Sequence, residues 1–247
     1  MFDKNHSHFL SLIIPVYRQE RIIVKNILEI KSVLDKIRYD YEIIIVFDGI
    51  VDGSYQKIKK TKMSKVKTLA YFKNQGKSYA IRLGMKRAKG DYIMFIDSGL
   101  EIDPNGISML IEHMEWYDAD VIVGSKRHPA SLVIYSWQRR ILSFGYYYLV
   151  KLLFGIKVRD TQAGIKIFRK PVLEKILPML VEKKFAGDLE MLVASDSLGF
   201  HRIYESPIKL NYAIGGISDA SSLNSIKGIF IDTIAIWYRK NVLKYYK

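Results

Sequence analysis

No cysteine occurs anywhere in the chain, which excludes a disulfide framework, thiolate metal sites and a cysteine nucleophile. A reducing compartment is compatible with that absence. Acidic residues are scarce too: 25 Asp and Glu stand against 39 Lys and Arg, for a formal net charge of +14. Such a surface attracts polyanions, whether nucleic acid, anionic lipid or a phosphorylated substrate. No nucleic-acid recognition motif accompanies the basic residues, so a nucleic-acid partner is not expected. The longest apolar stretch, Ile141 to Ile156, is broken by Ser143, Gly145 and Lys151 and falls short of the roughly 20 residues a spanning helix needs. The polar, mixed-charge start from Met1 to His8, with Pro15 cutting the first apolar run, has no signal-peptide pattern, so a cytoplasmic location is expected. There is no internal repeat, low-complexity tract or Pro/Gly linker. The 49% hydrophobic content of 247 residues is enough for one large core.

Short β-rich runs alternate with segments of helical length. Leu10 to Val16, Glu42 to Phe47, Val66 to Tyr71, Tyr92 to Ile96 and Val121 to Ser125 read as strands. The alternation predicts βαβ units and a mostly parallel sheet, whose strands are continuously apolar because both faces are covered. Ligands then belong beyond the strands' carboxyl ends. After about residue 130 the pattern shifts to a long aromatic helix, a strand at Ile165 to Phe168, helices near 171 to 181 and 187 to 199, and a strand at 202 to 210. Ser222 to Lys247 reads as a final helix with Ile226, Phe230, Ile234 and Trp237 on one stripe.

Four blocks carry candidate chemistry. The first strand runs into Pro15-Val16-Tyr17-Arg18-Gln19-Glu20, where proline is expected to stop the sheet and deliver Tyr17 to the loop above. That ring suits the flat face of a base, though an ordinary strand terminus looks the same. The second strand meets Asp48-Gly49-Ile50-Val51-Asp52-Gly53-Ser54, which fits either a base- or ribose-reading carboxylate or a plain Asp/Gly turn before a capped helix. Asn74-Gln75-Gly76-Lys77-Ser78 lacks the Walker spacing, leaving Lys77 as a single phosphate or sugar contact or a surface lysine. Ala80, Gly84 and Ala88 behind it suit close helix packing. Most informative is Tyr92-Ile93-Met94-Phe95-Ile96-Asp97, an apolar strand ending in a carboxylate that calls for a partner. A divalent cation, Mg²⁺ or Mn²⁺, bridging diphosphate oxygens would supply one.

In this order the blocks resemble the family-two inverting glycosyltransferases, above all the branch of dolichyl-phosphate mannosyltransferases and polyprenyl-phosphate glycosyltransferases. Leu12 to Tyr17, Asp48-Gly49 with Asp52-Gly53-Ser54, Asn74-x-Gly76-Lys77, Gly124-Ser125-Lys126-Arg127, Arg139 to Ser143, Asp160 to Arg169, Phe185-x-x-Asp188-x-Glu190 and Glu205 to Ile208 carry the likeness. The resemblance implies a GT-A (Rossmann-like) nucleotide-sugar-binding fold over residues 1–212, with a donor half at about 9–125 and an acceptor half at 126–212. Residues 213–247 would form an amphipathic membrane-interface segment. It further implies donor binding by Pro15, Tyr17, Gln19, Asp48, Lys77, Asp97 and Ser98, and lipid-phosphate binding by Lys126, Arg127, Arg139 and Ser143. Catalysis would rest on Asp97, Arg139, Ser143 and Asp188. The donor would be of the GDP-mannose or UDP-glucose type and the acceptor a polyprenyl or dolichyl phosphate.

Several departures bear on the chemistry. The family's Asp-x-Asp becomes Asp97-Ser98-Gly99, and Glu101 stands two positions further on, so Asp97 with Glu101 is the expected metal pair. Gln19 stands where Glu is common, Phe47 replaces the first Asp of the turn, and an arginine after the Pro-Ile strand is missing near Ala213. A lipid-phosphate acceptor needs no strong base, only positioning. A hydroxyl acceptor needs one, and Asp188 is then the candidate, unless it merely caps a helix after Gly187. The stretch from Arg139 to Ile156 and the Ile226 to Trp237 stripe suit docking on the cytoplasmic face of a membrane; core packing or a homodimer contact is the other use of such faces.

Overall fold

The computed structural model describes residues 8–133, 137–211 and 223–247, without the side chains of 137–142 and 223–226. The expected boundary at 212/213, the region of Ala213 and the Ile226 side chain therefore lie outside the described residues. Seven strands form one sheet: β1 (Leu10–Val16), β2 (Tyr41–Asp48), β3 (Val66–Tyr71), β4 (Tyr92–Ile96), β5 (Val121–Ser125), β6 (Ile165–Arg169) and β7 (Ile203–Pro207). Their order is β3-β2-β1-β4-β6-β5-β7. Every neighbouring pair is parallel except those of β6, which runs antiparallel between β4 and β5. Proline does not stop the first strand: Pro15 stays in register with Val46 and lies only beyond the last β1–β4 pair, Ile13 with Phe95.

Alternation of side chains across the pleat divides the core in two. Leu12, Ile14, Ile43, Ile45 and Met94 pack beneath α1 (Ile23–Leu34) and α4 (Gly106–Trp116); α2 (Ser54–Thr61) adds Ile58. Ile13, Ile44, Val46, Ile93 and Phe95 face α3 (Lys77–Met85), α5 (Trp137–Phe154), α6 (Lys170–Ile176), α7 (Gly187–Ser197) and α8 (Leu223–Asn241). The continuous apolar runs of β1, β2 and β4 follow directly, since both of their faces are covered. Two of the three expected small positions serve close packing of α3: Ala80 is fully buried, and a methyl at Gly84 would collide with Ile13, whereas Ala88 lies beyond the end of the helix. From β1 the chain steps to β2 and β3 on one side and β4 lies on the other, so the crevice over the carboxyl ends of β1 and β4 is the switch point where ligands of such sheets bind.

Candidate functional site

At the end of β4 the Asp97 carboxylate meets the Lys77 ammonium, with Nζ 2.8 Å from Oδ1 and 3.0 Å from Oδ2. The strand-end carboxylate, for which the sequence suggested a divalent cation, thus has a cationic partner within the chain. Lys77 opens α3 and also lies 3.6 Å from Asp188 Oδ2, so it is an internal cation rather than a surface lysine. Burial alone would depress its pKa, but the Asp97 and Asp188 carboxylates outweigh burial and hold it above the ordinary value. Asp188, only 2% exposed, gives its other oxygen to Lys166 Nζ at 3.0 Å. Lys166 is fully buried on β6, also donates to the Ala163 carbonyl at 2.9 Å, and has its pKa lowered by burial against the pull of Asp188. The four groups form a chain of alternating charge, Asp97, Lys77, Asp188, Lys166. Asp188 does not cap α7: the N-cap is Ala186, with no side-chain cap bond.

The loops around these four groups are tied down by backbone and side-chain donors. The buried Asp48 carboxylate accepts from Tyr71 Oη at 2.8 Å, Asn74 Nδ2 at 2.9 Å, Gln75 N at 2.7 Å and Gly76 N at 3.0 Å. Its visible task is to shape the loop that delivers Lys77. Gly76 has φ +105°, which favours glycine, and a methyl there would collide with the Lys183 carbonyl. Tyr17 is half-buried beneath the Arg18 guanidinium, 5.1 Å from its ring centroid. Gln19 N donates to Ser54 Oγ at 3.2 Å, joining the first two loops. Ser98 is buried and its carbonyl accepts from Asn26 Nδ2 at 2.8 Å. Pro15 is buried within β1.

On the acceptor side the structure brings Arg127 and Ser143 together: the guanidinium donates to Ser143 Oγ and lies 4.6 Å from the Phe144 ring centroid and 5.3 Å from that of Tyr147. Lys126 N donates to Asp160 Oδ2 at 3.0 Å. Arg139 belongs to α5, but its side chain is outside the described part. The segment 160–164 runs between the two clusters, because its far end, Gly164, packs so closely on Asp97 that a methyl would strike Oδ2. Gly164 N–H is not the contact there; Asp97 N donates to the Gly164 carbonyl at 3.0 Å.

Asp97 suits a divalent cation in chemistry and access, being a hard oxygen ligand 42% exposed at a strand end. Magnesium sites over phosphates commonly use one or two carboxylates and complete their shell with substrate oxygens and water. Among the described residues no group of three His, Cys, Asp or Glu could hold an ion alone. Glu101 is exposed in the following turn, and a side chain added at Gly99 would meet open space. Lys166, Gly164 and Glu190 had not been singled out as site residues. Lys166 carried a signal, a lone cation in the apolar run Ile165-Lys166-Ile167-Phe168; the packing of Gly164 on Asp97 carried none.

Residues 11–177 match the profile of Glycosyl transferase family 2. Curated relatives named dolichyl-phosphate beta-glucosyltransferase are similar over most of the chain. The one from Drosophila melanogaster is 29% identical across 76% of this chain and 63% of its own length. The one from Dictyostelium discoideum is 30% identical across 77% and 63%. The chain thus spans less than two thirds of the length of these relatives. Among solved structures, glucosyl-3-phosphoglycerate synthase from Mycobacterium tuberculosis, in complex with Mn²⁺, UDP and glucosyl-3-phosphoglycerate, superposes with a TM-score of 0.68 at 15% identity, over 94% of this chain and 80% of that one. A mannosyltransferase from Pyrobaculum calidifontis, in complex with GDP-Man and Mn²⁺, gives 0.63 at 12% identity, over 96% and 65%. At these identities the likeness is one of fold, and the fold is GT-A.

Proposed function

The chain belongs to glycosyl transferase family 2, and from that premise we propose that it transfers glucose from UDP-glucose to a polyprenyl phosphate of the dolichyl type, with inversion. The relatives' names support glucose and the lipid acceptor. The observation that carries the choice of acceptor is the state of Asp188, the one candidate base. It is 2% exposed, with one oxygen on Lys166 and the other facing Lys77. A hydroxyl acceptor needs a base open to the cleft; a phosphate oxygen is already anionic and needs only orientation. The Arg127–Ser143 pair, with Lys126 and Arg139, supplies that orientation by charge-assisted hydrogen bonds. The phosphate oxygen attacks the anomeric carbon, the bond from that carbon to the diphosphate oxygen breaks, and the nucleoside diphosphate leaves with the electron pair.

Pro15, Tyr17, Gln19, Asp48 and Ser98 frame the nucleotide end of the crevice, and Lys77 faces the diphosphate. Asp97 and Glu101 would be the residues to hold a divalent cation, and such an ion would supply neutralising charge for the leaving diphosphate. Docking through α5 and α8 places the acceptor cluster at a membrane surface, on the cytoplasmic side. Among the described residues no helix is long and apolar enough to cross a membrane.

The test is incubation with radiolabelled UDP-glucose or GDP-mannose, a short polyprenyl phosphate, and Mn²⁺ or EDTA. Label should enter the lipid fraction from UDP-glucose and require the metal. Label found only on a hydroxyl acceptor, or only from GDP-mannose, would overturn this reading. A non-catalytic nucleotide-sugar binder is the second reading, favoured by glycine at position 99; its signature is UDP-glucose binding with no turnover on any acceptor.

A further inference from the structure

The first turn of α7 is held from two sides. Successive helical residues are about 100° apart, so Asp188 and Glu190 point in nearly opposite directions. Asp188 faces the two lysines of the crevice. Glu190 is fully buried and faces the opposite way, toward α8 and the segment that follows it. One Glu190 oxygen accepts from Val181 N at 2.9 Å and Glu182 N at 2.8 Å. The other accepts from Tyr246 Oη at 2.7 Å and Arg239 Nη2 at 3.4 Å. Arg239 Nε also donates to Tyr246 Oη at 3.1 Å, and its guanidinium donates to Glu182. Tyr246 is brought inward by a turn in which Tyr245 N donates to the Arg239 carbonyl at 2.9 Å, and its ring is 1% exposed.

What Glu190 fixes is the segment 181–187, and that segment lies on the loop that presents Lys77. Tyr79 N donates to the Lys183 carbonyl at 3.1 Å, and Ser78 Oγ donates to the Lys184 carbonyl. Gly76 touches the same stretch so closely that only glycine fits. We propose that Arg239 and Tyr246 are positioning residues that, by clamping Glu190 and the 181–187 segment, hold Lys77 and Asp188 at the spacing the donor site requires. Tyr246 acts through Glu190, and Arg239 through Glu190 and Glu182. α8 also reaches the acceptor side, where Thr233 Oγ1 and Tyr146 Oη are 3.0 Å apart and Gln162 Nε2 donates to Tyr146 Oη at 3.4 Å.

The activity arm of the test rests on the glucosyl-transfer reading, so hydrogen exchange provides an arm that does not. In Tyr246→Phe, which keeps the ring and loses the hydroxyl, amide protection should fall about tenfold in 76–84 and 181–190 and stay unchanged in β1 and β2. Arg239→Met should show the same local loss, and Arg239→Lys should recover part of it. With polyprenyl phosphate as acceptor, the KM for UDP-glucose should rise about tenfold in Tyr246→Phe while the acceptor's KM stays put. A smaller folded fraction would lower kcat and move neither KM. Unchanged protection in both segments, an equal loss across β1 and β2, or an unmoved donor KM in an active variant would overturn the clamp. A wild-type chain without turnover, with the local loss of protection still present in the variant, overturns the glucosyl-transfer reading and leaves the clamp standing.

Discussion

Lys166 illustrates how a single side chain sets the terms for the residues around it. Its ammonium has no exposed surface and, among the described residues, two acceptors, the Ala163 carbonyl and Asp188 Oδ1. Removing one member of a buried pair leaves the other charge uncompensated, at a cost of about 3–5 kcal/mol. Lys166→Met should therefore lower unfolding free energy in urea titration by up to about 3–5 kcal/mol, less what Lys77, 3.6 Å from Asp188 Oδ2, still compensates. Adding Asp188→Asn to the same chain should restore much of it, because the buried carboxylate that has lost its nearer cation is then neutral, while Lys77 keeps Asp97 as its partner. A double variant as unstable as the single one would show that packing, not charge, is what Lys166 contributes. Individual candidate residues stood out in the sequence where a charge ended an apolar strand, as at Asp97, or followed a glycine in a loop, as at Lys77. Their mutual pairing was not legible, because it depends on β4 and α3 being brought together across the β1 strand. Asp48 reads in the sequence as either a ligand contact or a plain turn residue and is found gathering four donors from Tyr71 at the end of β3 and from the loop 74–76 that leads into α3, a role visible only once that loop is folded over it.

At the scale of elements, β1, β2, β4 and β5 were readable to within a residue because covering both faces forces an unbroken apolar run, whereas β7 is Ile203–Pro207, three residues shorter at its end than the strand expected at 202–210. The reversal of β6 was hidden for the same reason: an antiparallel strand buried between β4 and β5 has the same composition as a parallel one. That reversal is what makes the site. It sets Ile165 opposite Ile96 and so places Gly164 against Asp97. At the start of α7 the sequence leaves Asp188 open between a base and a cap after Gly187; the cap position is Ala186 and Asp188 is claimed by the lysines. The β4–β6 contact gives a direct test. Gly164→Ala would force its methyl onto Asp97 Oδ2, and Asp97, 42% exposed, can swing away without unpacking the sheet. Transfer activity and Mn²⁺-dependent UDP-glucose binding should each fall at least about tenfold, a loss near 1.4 kcal/mol per factor of ten. The melting temperature should move by only a few degrees. A large drop in melting temperature with binding retained in the folded fraction would show that Gly164 serves the sheet rather than the carboxylate.

The molecule as a whole is strongly basic and covers its apolar surface unevenly. α8 packs its inner side, with Thr233 and Ile236 fully buried, against α7 and α5, so it is part of the folded body. Its outer side leaves Phe230, Ile231, Ile234 and Tyr238 exposed, and the neighbouring α5 exposes Phe144, Tyr148 and Leu152. Lys151, Lys227 and Lys244 are exposed on or just beyond the same two helices. Burying a large apolar side chain yields roughly 1.5–3 kcal/mol, so a few of these residues entering a headgroup layer, with lysines drawn to anionic lipid, suffice for peripheral binding. A second copy of the chain would cover the same stripes but would have to bury the lysines against like charge. Cosedimentation with vesicles containing phosphatidylserine separates the two outcomes. Binding should be clear at 0.1 M salt and fall several-fold at 0.5 M, where the screening length roughly halves. Leu152→Glu with Ile234→Glu should abolish it while leaving the circular dichroism spectrum unchanged. A stable dimer in sedimentation equilibrium that ignores vesicles, and that the same pair of substitutions splits into monomers, would assign the face to a second copy and remove the membrane from the account of how a lipid phosphate reaches Arg127 and Ser143.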